Sequence, residues 1–249
     1  MTITMATPAA ALEFRDIRKS FGILPALNQV SFDVLAGEFF GLAGVNGAGK
    51  TTLIKCMLDL AMATAGTIRI FGIPSTDYRS RVRLSFLPER FIPPYYLNGR
   101  DFLRMMAGVS GDRYEDCKAQ AMLVRLDLDP DALVKPVRTY SKGMTQKLGL
   151  ASCFLADRDL TILDEPMSGL DPKARARVKD ILADLKERGR TLFFTSHALA
   201  DIDEICERIG ILHEGELRFV GAPRELIASC GATTLERAFL RKIEMREIA

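Results

Sequence analysis

Gly44-Val45-Asn46-Gly47-Ala48-Gly49-Lys50-Thr51 is the stretch that leaves this chain the fewest options for its fold. It follows the short apolar run Phe39 to Leu42 and precedes Lys50 to Leu60, where apolar residues recur at helical spacing. A strand must therefore turn through glycines straight into a helix. In a chain of this length and composition, chance would supply roughly 0.006 matches to G-x-x-x-x-G-K-[ST], so the match is specific. Its glycines let the backbone close round a phosphate with successive N–H groups pointing inward, at the positive end of the helix dipole. Lys50 is placed to bridge the β- and γ-phosphates of a nucleoside triphosphate, and the Thr51 hydroxyl to ligate Mg²⁺. Asn46, Gly47, Gly49 and Thr52 complete the candidate nucleotide-binding set. The competing reading is a glycine-rich turn with a solvated lysine.

The rest of the chain supplies the sheet such a loop needs. Leu12 to Phe14 and Val30 to Val34 alternate as half-buried strands, and Thr67 to Phe71 and Arg83 to Leu87 do the same. From Phe91 to Ala156 the pattern turns helical, with segments at Asp101 to Ala107, Arg113 to Leu126 and Lys142 to Ala156. Strand and helix signals then alternate: Leu160 to Leu163, Pro172 to Arg188, Thr191 to Thr195, Ala198 to Arg208 and Ile209 to Leu212. That order predicts an α/β fold, a mostly parallel sheet with helices on both faces, N-terminal antiparallel strands and an inserted α-helical lobe. The expected divisions are a loose N-terminal extension over 1–11, a nucleotide-binding core over 12–90 and 157–221, the helical lobe over 91–156, and a C-terminal helical tail over 222–249.

Leu160-Thr161-Ile162-Leu163-Asp164-Glu165 is an apolar strand running into two carboxylates. Adjacent strand residues point to opposite faces, which predicts different jobs for the two acids. Asp164 suits the Mg²⁺ side, and Glu165 suits the general base that polarises water. Taken alone, the pair reads equally well as a solvated turn. His197, just past the strand Thr191 to Thr195, falls at the same carboxyl edge where open α/β sheets bind ligands, or else it is a helix cap.

Composition excludes other classes. With 48% apolar and 27% charged residues the chain is neither disordered nor of low complexity, and a net charge of +2 with scattered positive residues gives by itself no case for wrapping nucleic acid, a local patch staying open. Five widely spaced cysteines, without a C-x-x-C pair and with only two histidines, argue against a disulfide framework or a zinc site. They are expected to be reduced core residues, which suggests the cytosol. No apolar run approaches the roughly 18 residues of a membrane span, and Met1 to Ala11 lacks the basic start of a signal peptide.

Taken together, these motifs resemble those of the ATP-binding-cassette (ABC) ATPases over about Leu12 to Leu240. Phe21, in Lys19-Ser20-Phe21-Gly22, resembles the aromatic that stacks on adenine. Tyr140-Ser141-Lys142-Gly143-Met144 is similar to the family signature, Ser168-Gly169-Leu170-Asp171 to the D-loop, and His197 to the switch histidine. The resemblance implies that two cassettes face each other, so that Ser141 and Gly143 act on a partner's nucleotide while Asp171 belongs to the same interface. An N-cap role for Ser141 is compatible with this. Three positions depart from the usual pattern: Glu89 stands where the family usually has Gln, Lys142 replaces a Gly, and Met144 replaces a Gln. Glu89 then either ligates the metal or faces a partner groove. Leu-Pro-Glu, Tyr-Ser-Lys-Gly-Met and Leu235-Glu236-Arg237-Ala238-Phe239-Leu240 together resemble the ABC-2-type cassettes, mostly exporters.

The resemblance thus implies an ATPase using ATP and Mg²⁺, dimeric, cytoplasmic and peripheral on the inner face of the cell membrane, docked on a separate transmembrane permease subunit. Phe91, Tyr95 and Tyr96 either line the docking groove or fill core. The alternatives are a non-transport ABC ATPase of translation or DNA repair, which usually carries a second cassette or long insertions, and a P-loop kinase or GTPase. The last leaves the signature unexplained and lacks an N-K-x-D guanine contact.

Overall fold

The computed structural model describes residues 9–244. In chain order the first half runs β1 (Ala10–Phe21), β2 (Leu24–Leu35), β3 (Phe39–Ala43), α1 (Lys50–Met57), β4 (Ala65–Ile70), β5 (Ile73–Pro74) and β6 (Leu84–Leu87). Three helices follow, α2 (Gly99–Val109), α3 (Asp116–Arg125) and α4 (Lys142–Ala156). Then come β7 (Leu160–Asp164), α5 (Pro172–Glu187), β8 (Thr191–Ser196), α6 (Leu199–Ile205), β9 (Arg208–His213), β10 (Glu216–Gly221), α7 (Pro223–Ser229) and α8 (Leu235–Glu244).

These strands build two sheets. An antiparallel sheet has the order β2-β1-β4-β5, and a six-stranded sheet has the order β10-β9-β3-β8-β7-β6, parallel except for β10. The α/β expectation with N-terminal antiparallel strands is met. The loose extension expected over 1–11 is corrected at its last two residues, which belong to β1: Ala10 pairs with Leu35 and Ala11 is buried, while residues 1–8 lie outside the described residues. Of the tail expected over 222–249, α7 and α8 cover most, and 245–249 likewise lie outside. The sequence reading missed β10. Glu214 (φ 48) and Gly215 (φ 76) both take positive φ, as a type I′ hairpin turn requires, and reverse the chain onto β9.

A ladder of four phenylalanines joins the sheets. Phe14 stacks on Phe32 with centroids 4.4 Å apart, Phe32 on Phe40 at 5.2 Å and Phe40 on Phe193 at 5.9 Å, linking β1 and β2 to β3 and β8. Leu53, Ile54 and Met57 of α1 bury into the same core. Removing one such ring typically costs about 3–5 kcal/mol, so this ladder is a principal anchor of the phosphate-loop strand. α2, α3 and α4 pack through Phe102, Leu103, Ala119, Leu123, Leu148 and Ala151.

Cys56, Cys153 and Cys206 are buried as expected, and burial alone pushes the Cys153 thiol up to about 12. Cys117 and Cys230 correct the expectation of five core cysteines. α3 buries Ala119 and Leu123, leaving Cys117 on its solvent face, and Cys230 caps α7 half-buried. Among the described residues, no helix is long and apolar enough to cross a membrane.

Candidate active site

Parallel pairing aligns the carboxyl ends of three strands. Ala43 of β3 is opposite Ser196 of β8, and Asp164 of β7 is opposite Thr195, so the loops that leave these strands meet at one edge. Gly47 and Gly49 take φ of 82° and 108°. A Cβ at Gly49 would lie 2.7 Å from the Ala26 carbonyl oxygen, so the loop can lie against β2 only with glycine there. Gly49 is also the N-cap of α1, and no side chain occupies the helix's first N–H groups, which leaves them available to an anion.

The polar side chains converge on this edge. Lys50 donates to the carbonyls of Gly44 (2.6 Å) and Val45 (3.3 Å), and its Nζ lies 3.8 Å from Oε1 of Glu165. The Thr51 hydroxyl donates to Oδ2 of Asp164 at 3.0 Å. Oδ1 of Asp164 accepts from the buried Thr195 hydroxyl at 2.6 Å, and that hydroxyl in turn accepts the Glu165 N–H at 3.0 Å. Glu165 has left the strand, with a left-handed φ of 51°. The expectation that strand alternation separates the two acids is thereby corrected: β7 ends at Asp164, and a backbone reversal sends Glu165 elsewhere. Non-glycine residues hold such a conformation at a cost that active sites commonly bear. The Glu165 carboxylate reaches His197, whose Nδ1–H donates to Oε2 at 2.7 Å and whose backbone N–H donates to the same oxygen at 3.2 Å. The His197 side chain is itself 66% exposed at the mouth.

Asn46, Gly47, Gly49, Lys50, Thr51, Thr52, Glu89, Glu165 and His197 all line one cavity of about 350 Å³, with Ala26 and Ser168. Asp164 joins through Thr51. Glu89, exposed, also lines a second groove of about 560 Å³ with Phe91, Ile92, Tyr95 and Tyr140. Tyr95 and Tyr96 are each 71% exposed and stack edge to face, so neither fills core, and of the two Tyr95 lines this groove; Phe91 does both, packing on Phe102 and lining the groove.

Four of the predicted residues stand away from this cavity. Ser141 caps α4, accepting the Met144 N–H at 3.2 Å, and Gly143 packs near the Gly169 carbonyl. Asp171 caps α5 through the Ala174 N–H at 2.9 Å, which first among its causes holds its carboxyl below the usual range. Phe21 ends β1 half-exposed, with the Lys19 ammonium 4.7 Å from its ring centroid. The Lys142 stem lies across Gly169, where a Cβ would meet its carbons at 3.0–3.3 Å, so the lysine of the signature is seated on the D-loop glycine.

Sequence reasoning missed Thr195 and Gln146. Gln146 is buried in α4 and donates to the Pro166 carbonyl at 3.0 Å, fastening the turn after Glu165. The available signals were a hydroxyl in an otherwise apolar central strand and an amide on the buried face of a helix.

Comparison with known proteins bears on the family and the fold. A family model described as ABC transporter matches residues 27–168. An uncharacterized ABC transporter ATP-binding protein of Synechocystis sp. is 40% identical over 208 residues, covering 82% of this chain, and the match spans 58% of that relative's own length. Nod factor export ATP-binding protein I of Paraburkholderia xenovorans is 36% identical over 230 residues, covering 89% of this chain and 74% of that protein. A solved structure described as the ATP binding subunit of an ABC transporter superposes with a TM-score of 0.85 at 28% identity, covering 93% of this chain and 99% of its own.

Proposed function

Because this chain belongs to the ABC transporter family as an ATP-binding cassette, we propose that it hydrolyses MgATP to drive a separate membrane-embedded permease. The observation that carries the reading is the single cavity in which the phosphate loop, the Thr51–Asp164 pair and the Glu165–His197 pair meet. Phosphates lie against the free N–H groups of the loop and α1, and Lys50 swings from the Gly44 carbonyl toward the β- and γ-phosphates. The Thr51 hydroxyl and Asp164 carboxylate, 3.0 Å apart, would hold Mg²⁺ as hard oxygen donors, and the ion would supply positive charge against the phosphates. Among the described residues no group of three or more His, Cys, Asp or Glu forms a dedicated cage, which fits an ion that arrives with its nucleotide. Glu165 accepts the proton of the attacking water, and His197 holds that carboxylate and faces the γ-phosphate. Phe21 stacks on the adenine.

Ser141 and Gly143 at the start of α4, with Asp171, act on the nucleotide of a facing second cassette. That none of the three lines this chain's own phosphate cavity suits that arrangement. The groove lined by Phe91, Ile92, Tyr95 and Tyr140 receives the permease, and Glu89, which lines both groove and nucleotide cavity, stands between them. The named export relative supports an ABC-2-type exporter, acting at the inner face of the membrane, over a translation or repair ATPase. The test is steady-state ATPase of the purified chain beside Lys50→Ala. Turnover is expected in the parent and its loss in the variant, and equal rates would remove the phosphate-loop assignment.

A further inference from the structure

α6 is a short helix at a sensitive place. It has seven residues, begins two residues after His197 and has no side-chain N-cap, so its first turn is held by backbone bonds to the Ala198 carbonyl, from the Asp201 N–H at 3.1 Å and the Ile202 N–H at 3.4 Å. Leu199, Ile202 and Ile205 bury against the core, and Ile202 lies against Gly41 of β3. One charged side chain is buried with them. Asp201, 5% exposed, turns toward α5.

On α5 it meets two cations. Its Oδ1 lies 2.9 Å from Nζ of Lys179 and its Oδ2 lies 3.7 Å from the Arg175 guanidinium; among the described residues Oδ2 has no hydrogen-bond partner. Lys179 also bonds Glu204 at the exposed end of α6. Burial pulls the Lys179 ammonium down, but its bonds to Glu204 and Asp201 outweigh that and leave it raised. The spacing is symmetrical. Asp201 is four residues beyond His197, and Arg175 is four residues beyond Asp171, whose carbonyl accepts the Arg175 N–H at 3.0 Å.

We propose that Asp201 is a positioning residue that ties the His197 loop to the Asp171 segment through Lys179 and Arg175. With the Glu165–His197 bond, a ring closes: Glu165 to His197, along the chain to Asp201, across to α5, and back through Asp171 to Glu165. The histidine and the cap of α5 then move as one body, so a shift at the Asp171 segment is felt at the carboxylate that activates water. A buried carboxylate facing cations resists being pulled apart, since separation leaves a charge uncompensated. The proposal rests on the ATPase reading for its consequence, but the tie itself is independent of it.

The experiment compares Asp201→Asn, Lys179→Met and the double variant in the full chain, measuring kcat, KM for ATP, and amide hydrogen exchange over residues 197–202. Each single variant is expected to lower kcat about tenfold with KM within about twofold, and the double variant to lose little more than either. Exchange at 197–202 should speed up in both single variants. Parental kcat in the singles, losses that simply multiply in the double, or a kcat loss matched by an equal rise in KM would overturn the coupling. A parent that does not hydrolyse ATP would defeat the cassette reading instead; exchange left unchanged by Asp201→Asn would then still overturn the tie.

Discussion

One oxygen of Glu165, Oε2, accepts both the ring Nδ1–H of His197 at 2.7 Å and its backbone N–H at 3.2 Å. A carboxylate held by two donors at one oxygen keeps its other oxygen, 3.8 Å from Lys50, directed into the phosphate cavity. Glu165→Gln retains the shape but removes the carboxylate proposed as the base, so nucleotide should still bind while hydrolysis falls about 10²-fold or more. ATP should then trap a dimer, read by size-exclusion chromatography; a monomer under those conditions contradicts the facing-cassette arrangement. His197→Ala should slow hydrolysis while ADP and ATP affinities hold, and equal loss of both affinities would mark a structural histidine.

Ser141→Arg removes the α4 cap, worth about 1 kcal/mol, and in the proposed facing-cassette arrangement it would also obstruct the partner's nucleotide. Nucleotide binding by a single subunit, followed by fluorescence titration, should persist while turnover stops. Undiminished turnover would disprove action across an interface.

Thr195→Val tests a residue that joins both acids. The hydroxyl serves Asp164 and the Glu165 N–H, yet Asp164 keeps Thr51, and the Glu165 N–H keeps the Thr195 carbonyl at 3.2 Å. Denaturant unfolding should therefore show a loss near the low end of the usual range, about 1 kcal/mol. Turnover should suffer more, about tenfold, because Asp164, the carboxylate proposed to meet Mg²⁺, is freed to rotate away from Thr51. A stability loss with parental turnover would confine Thr195 to folding.

Glu89→Gln separates two roles. A carboxylate about 5 Å from a unit charge interacts by about 3 kcal/mol at an effective dielectric near 20, enough to shift a metal requirement. Turnover should stay within about tenfold of the parent, with more Mg²⁺ needed for half-maximal rate. An unchanged Mg²⁺ titration would assign Glu89 to the permease groove.

Thiol reactivity gives a check on the fold. Burial raises the Cys56, Cys153 and Cys206 thiols and hides them, whereas Cys117 is exposed. Iodoacetamide at mildly alkaline pH should label Cys117 first and Cys230 next, and reach the other three only on unfolding. Intact mass with peptide mapping reads the order, and early labelling of Cys153 would contradict the packing of α4.

Residues whose chemistry depends on local order were legible in advance. Lys50 and Thr51 sit in a motif that needs only a strand before and a helix after, and α4 spans Lys142–Ala156 as its periodicity predicts, behind a serine cap. Long-range features were not legible. The partners of Thr195 are some 30 residues away, and Gln146 reaches across 20 residues to Pro166. The split between Asp164 and Glu165 was expected from strand alternation but comes from a left-handed residue, which no alternation pattern reveals. β10 escaped because most of its residues are only half-buried, so it lacks the two-residue alternation that marks a one-sided strand.

The central place of β3 bears on how the chain is made. Both strands that flank it, β8 and β9, are encoded some 150 residues later, and so is Phe193, the last ring of the aromatic ladder. While a ribosome adds those residues at about 5–20 per second, β3 waits roughly 10–30 s with neither neighbour. Phe14, Phe32 and Phe40 meanwhile present an uncovered aromatic surface to the cell. A nascent chain that has not yet reached β8 and β9 thus lacks both neighbours of the phosphate-loop strand, and the nucleotide pocket is assembled only once those two strands have been made.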